Sequence, residues 1–227
     1  MHTDKKTRQP DPVLDVSYLS LRKSIGWIGI LMPWVVRAVA KIRGGTPLLN
    51  SISAYYHTSG RDIFVGSLFG AGLFLSFYRG SLDSRQDRIL AVIWGIAAVF
   101  IGLVPMNPCD DPHLTCLYPG RPTYHFVPVA VFFAINIYMA LFRFTRPSRL
   151  PVTREKQQRN KVYIACGAVM LVSVLAIAYQ DRVRGGIFWP EAIAIAAFGV
   201  AWLVKGQIVL ADKIRPHPAA SARESTD

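Results

Sequence analysis

"VYIACGAVMLVSVLAIAY", residues 162–179, is an eighteen-residue run without a charge. As an α-helix it is about 27 Å long, close to the ~30 Å hydrocarbon core of a bilayer. Five more mostly apolar runs fall in the same length class, at roughly 24–42, 63–79, 89–106, 126–144 and 188–210. Within lipid every backbone polar group must be paired inside the structure, so spanning segments are helices or closed barrels. Unbroken runs of this length, without alternation, read as helices. The expected fold class is all-α, a polytopic membrane protein built as a six-transmembrane-helix bundle over residues 18–210. The polar stretches 1–17 and 211–227 read as disordered arms.

The charge pattern supplies an orientation. The 227-residue chain carries 26 Lys and Arg against 14 Asp and Glu, a net charge of +12. With the N-terminus placed inside, nineteen of the 26 cations fall at the inner ends and seven at the outer ends. That bias follows the positive-inside rule, and it predicts both termini in the cytoplasm of a bacterial inner (plasma) membrane. The excess charge is therefore read as a topology signal and an attraction to anionic lipid headgroups. No aromatic residues interleave the basic loops, so nucleic acid is not expected as a partner; membrane lipids are.

Under this topology three loops face outward, 43–61, 107–125 and 180–188, and they hold most of the residues able to do chemistry. The densest is "SAYYHTSGRD", residues 53–62. "SGRD" also reads as a capping box for the second span, with Ser59 as the cap and Asp62 at the positive end of the helix dipole. Tyr55, Tyr56 and Trp189 match an interfacial aromatic belt, and Pro190 and Glu191 suit the first turn of the sixth span. Capping does not need Ser53, His57 and Arg61, which share one face at i, i+4, i+8 if the stretch is helical; if it is extended, Ser51, Ser53, Tyr55 and His57 point to one side. The expected catalytic group is Ser53, His57, Asp62 and Glu191, with His57 as base. Tyr55, Tyr56, Arg61 and His125 are the expected substrate-binding residues. Arg37, in the first span, is a candidate partner for Asp62 or Glu191, whereas Lys205, at the inner end of the sixth, is expected to snorkel to the headgroups.

"CDDPHLTC", residues 109–116, places Cys109 and Cys116 at the ends of a short outward segment. Outside the cytoplasm a small-loop disulfide is the leading reading. A metal site is the alternative, with His57, His113 and His125 as candidate ligands. Zinc is thus a possible cofactor by residue type, but the spacing matches no established zinc signature. Gly66 and Gly70 form a G-x-x-x-G, the spacing of a close helix contact in lipid.

The stretches "SISAYYHTSGRDIFVGSLFGAGLFLSFYRG" (51–80), "RNKVYIACGAVM" (159–170) and "FWPEAIAIAAFGVAWLVKG" (188–206) together resemble a widespread group of uncharacterised bacterial six-span membrane proteins. The resemblance covers nearly all the spans and implies a six-helix bundle without an assigned activity. The polar loop leading into a glycine-rich second span is more distantly similar to eukaryotic six-span proteins of GPI-lipid remodelling and autophagy modulation, which implies lipid handling. Ser53 and His57 also match the Ser-x-x-x-His pattern of alkaline-ceramidase-like intramembrane hydrolases. Those proteins require a histidine pair on the last span, and residues 188–210 contain no histidine.

The expected function is lipid binding or lipid modification at the outer leaflet. A small-solute transporter or channel is the first alternative. It calls for ionisable groups at mid-bilayer depth, which the span centres nearly lack. A non-catalytic membrane sensor or assembly partner is the second.

Overall fold

The computed structural model describes residues 12–78, 84–117, 119, 124–146, 153–183 and 185–208. Among these there is no strand. The helices are α1 (Pro12–Gly44), α2 (Arg61–Ser76), α3 (Arg85–Leu103), α4 (Phe126–Tyr138), α5 (Arg154–Arg182) and α6 (Phe188–Lys205). α1 begins inside the segment read as a polar arm; residues 1–11 and 209–227 lie outside the described residues.

An all-α membrane bundle is what the chain forms, with one correction. Among the described residues, five helices are long and apolar enough to cross a membrane: Tyr18–Gly44, Arg85–Leu103, Phe126–Arg143, Arg154–Arg182 and Phe188–Lys205. The sixth expected span, 63–79, is the 16-residue helix α2, about 24 Å long. Its first turn is taken up by Arg61 and Asp62, and its helical hydrogen bonding ends before Phe77. The apolar run counted residues that the helix does not contain.

The helices form a closed ring, each packed on its neighbours in chain order, with α6 returning to α1. Two glycine pairs set the closest approaches. A Cβ on Gly199 of α6 would lie 2.6 Å from the Gly26 carbonyl of α1, and one on Gly26 would lie 2.8 Å from the Gly199 carbonyl. Gly95 of α3 meets the Gly72 carbonyl and Ser76 of α2 in the same way. Gly66 and Gly70 have nothing within 4 Å, so the G-x-x-x-G expected to pack is not the one that does. Gly199→Val is expected to destabilise the protein by about 1–3 kcal/mol through forced overpacking. Gly66→Ala should leave thermal unfolding in detergent unchanged or slightly raised, since Gly is the poorer helix former.

Down the axis of the ring runs a column of aromatic side chains. Trp94 lies 6.0 Å from Phe198 and 5.6 Å from Trp202, centroid to centroid. Trp202 in turn lies 5.1 Å from Tyr78 and 5.6 Å from Phe144. The column separates a polar cluster at the end carrying Ser53 from a basic cluster at the other end.

Candidate functional site

The segment before α2 is not an α-helix. Ser53–His57 forms a single 3₁₀ turn, in which side chains repeat every three residues rather than every 3.6. The expected i, i+4, i+8 face is therefore broken. Ser53 is buried, the Nε2 of His57 lies 2.8 Å from the Met106 carbonyl, and Arg61 is exposed. Arg61 instead covers the Tyr56 ring at 4.4 Å and donates to its hydroxyl at 2.8 Å. The capping box is also absent: Gly60 is the N-cap of α2, with no side-chain cap. Asp62 is exposed in the first turn of α2, away from the buried cluster. Tyr55 is fully buried and its hydroxyl accepts from the Leu49 N–H at 3.4 Å, so it belongs to the core and not to an aromatic belt.

The residue that meets Ser53 is His125, immediately before α4. Its Nε2 lies 2.8 Å from the Ser53 Oγ, and its Nδ1 lies 2.5 Å from the Val104 carbonyl. A carbonyl can only accept, so Nδ1 carries the ring proton and donates it. In the neutral ring Nε2 is then the acceptor, and the Ser53 hydroxyl donates to it. His125 is 2% exposed. Burial lowers its pKa below the usual histidine value, with the Val104 hydrogen bond opposing in part. The neutral, proton-accepting form is thus favoured.

Two buried carboxylates hold this segment in place. Glu191 of α6 accepts from the Ile52 N–H at 2.6 Å. Asp111 accepts from the Asn50 N–H at 2.6 Å and from the His113 N–H at 2.9 Å. The Ile187 N–H donates to the Asn50 carbonyl at 2.6 Å, and the Ser51 Oγ accepts from the Ala54 N–H at 3.0 Å. The Cys109–Cys116 disulfide closes the loop that carries Asp111. Three loop segments are thereby knitted around Ser53, which fixes its position.

Beneath Ser53 lies a cavity of about 60 Å³, room for about two water-sized groups. Ser53 and Glu191 are at its wall, together with apolar side chains including Phe64, Phe132, Phe133 and Phe198.

Of the expected site residues, Ser53, His125 and Glu191 are brought together. His57, Asp62, Tyr55, Tyr56 and Arg61 are not. The candidate ligands His57, His113 and His125 also stay apart, because His57 and His125 are bound to different backbone carbonyls and His113 is exposed. Among the described residues no three His, Cys, Asp or Glu side chains are disposed to hold a metal. Asp111 and the Val104 carbonyl support the site and carried no sequence signal for those roles.

Comparison of the chain with protein-family models, with curated proteins and with solved structures gives no match.

The buried histidine predicts an acid limit. Its folded pKa is depressed from 6.5, so its contribution to stability is present above that value and is lost as pH falls through the lower folded value. Thermal unfolding in detergent should show an acid-side loss beginning below about pH 6.5. His125→Gln should remove that limb, and an unchanged pH profile would contradict it.

Proposed function

We propose that the protein modifies lipid at the outer leaflet of a bacterial inner membrane, by acyl transfer through Ser53. The observation that carries this reading is the Ser53–His125–Val104 hydrogen-bond chain above an apolar cavity. A serine hydroxyl is a weak nucleophile until an adjacent base takes its proton, and here the base is held in the accepting tautomer.

The reaction class is attack on a lipid ester or amide. Ser53 Oγ forms a bond to the acyl carbonyl carbon while His125 Nε2 takes the hydroxyl proton. The tetrahedral intermediate collapses with cleavage of the bond to the headgroup-side alcohol or amine, which leaves with the proton from His125. Water, or the hydroxyl of a second lipid, then releases the acyl group from Ser53 by the same steps in reverse order. The apolar cavity receives the carbon atoms next to the scissile carbonyl. Arg61, exposed on the Tyr56 ring, is placed to meet an anionic headgroup at the rim.

The outer-leaflet assignment rests on the distribution of basic residues, which favours the cytoplasm for the opposite end. A transporter fits less well, because it calls for ionisable groups at mid-bilayer depth, which the span centres nearly lack.

The test is incubation of the reconstituted protein with phospholipid and N-acyl lipid, with mass spectrometry of the lipid products. Release or transfer of acyl groups by wild type, and none by Ser53→Ala, is the expected result. Bound lipid without turnover, unchanged in Ser53→Ala, would reduce the reading to lipid binding. No turnover and no bound lipid would overturn it.

A further inference from the structure

At the end of the bundle opposite Ser53, basic side chains converge from three helices and a π-helical turn. Arg22 comes from α1, Lys156 and Arg159 from α5, Lys205 from α6, and Arg143 from the turn Met139–Arg143 that continues α4. That turn is closed by the Phe144 N–H donating to the Met139 carbonyl at 2.8 Å, an i→i+5 bond that adds a residue to the turn. It carries Arg143 to the interior, where it is 4% exposed; Arg159 is 7% and Lys205 9% exposed. Lys205 therefore does not snorkel to the surface. Its Nζ lies 5.0 Å above the Phe144 ring.

The groups are neighbours. Lys156 donates to the Phe144 carbonyl at 2.6 Å, and Arg22 donates to the Lys205 carbonyl at 3.4 Å while its guanidinium stacks 4.1 Å from the Tyr18 ring. Arg22, Lys156, Arg159 and Asp87 all lie within electrostatic range of the Lys205 ammonium. Among the described residues buried at this end, Asp87 is the one carboxylate. It is engaged by Arg143, whose Nη2 also donates to Ser84 at 2.7 Å. The Nε of Arg22 is buried and has no hydrogen-bond partner among the described residues; the Nη1 of Arg143 is buried and makes no hydrogen bond of good geometry, with the Tyr138 hydroxyl near the guanidinium. Buried donors of this kind cost stability unless an acceptor reaches them, and cations gathered in low dielectric repel one another.

We propose that this cluster is a binding site for a phosphate-bearing anion, the headgroup phosphate of an anionic phospholipid in the leaflet at that end. The chemistry is specific to phosphate. Arg22 Nε and Arg143 Nη1 are the guanidinium donors that make no good hydrogen bond of their own and are left for its oxygens, and the Lys156 ammonium adds point charge. The site is separate from Ser53 and does not depend on its chemistry.

The test is lipid binding to the delipidated full-length protein in detergent, read by native mass spectrometry and by the shift in melting temperature. Phosphatidylglycerol is compared with phosphatidylcholine of the same acyl chains. Wild type is expected to bind phosphatidylglycerol at least about 10-fold more tightly, and Arg22→Gln/Lys156→Gln to lose most of that preference. Lys41→Gln/Arg182→Gln, which removes the same charge from the other end, should keep it. Millimolar inorganic phosphate that displaces the lipid and raises the melting temperature by itself would assign the site to a soluble phosphate. Equal binding of the two lipids by wild type overturns the proposal without any variant. Equal loss in both double variants overturns it as well, since total charge would then explain the preference.

Discussion

Ser53→Ala is expected to lower acyl release from bilayer lipid by about 10³-fold or more, to the rate of the lipid alone. In the proposed reaction the hydroxyl oxygen forms the new bond, so no other group replaces it. His125→Ala should fall to a similar level, and the double variant no further, because a nucleophile and its base act as one unit. Folding should survive the serine change. Ser53→Ala removes one hydrogen bond from a histidine nitrogen that only accepts, at a cost of about 1 kcal/mol. His57→Ala should retain most of the activity, since His57 bonds a loop carbonyl and does not reach Ser53. A loss in His57→Ala as large as that in Ser53→Ala would return the site to the Ser-x-x-x-His spacing.

Asp87→Ala is expected to be the most destabilising single change at the basic end. Asp87 is 4% exposed and paired with Arg143, which is equally buried. Removing the carboxylate leaves a guanidinium buried without its counter-charge, which costs about 3–5 kcal/mol. The loss of the Ser84-capped first turn of α3 would be smaller, because the Ser84 side chain still accepts from the residue-87 N–H. Asp87→Leu combined with Arg143→Met should recover most of the stability, as buried pairs replaced by apolar groups often do. Thermal unfolding of the three proteins in one detergent measures this. An Asp87→Ala melting temperature equal to wild type would show that the pair is not closed in the folded protein.

The membrane-spanning character was legible because run length and the absence of charge report directly on burial in lipid. The length of α2 was not. Its apolar run continues past Ser76, and hydropathy does not mark where helical hydrogen bonding stops. Small-residue spacing identified a face at Gly66 and Gly70, but spacing does not name a partner. The contacts are made by Gly72 with Gly95 and by Gly26 with Gly199. At the candidate site, the density of polar residues in 50–62 marked the segment that carries Ser53. It set His57 beside Ser53, because i, i+4 reasoning assumes an α-helical pitch and the segment is a 3₁₀ turn; the ring that meets Ser53 is His125. His125 lies 72 positions from Ser53, and only tertiary packing of α4 against the first loop joins them. Glu191 was read as a catalytic group or a cap; its contact with the Ile52 N–H makes it the clamp of the Ser53 segment.

The most direct measurement of the central claim is covalent labelling of the intact protein with a serine-directed fluorophosphonate, mapped by peptide mass spectrometry. The account predicts a single adduct on Ser53, lost in His125→Gln, and a labelling rate that holds as pH falls through the ordinary histidine value and declines only below it. An unlabelled Ser53 in a folded protein, or labelling that persists without His125, would contradict it.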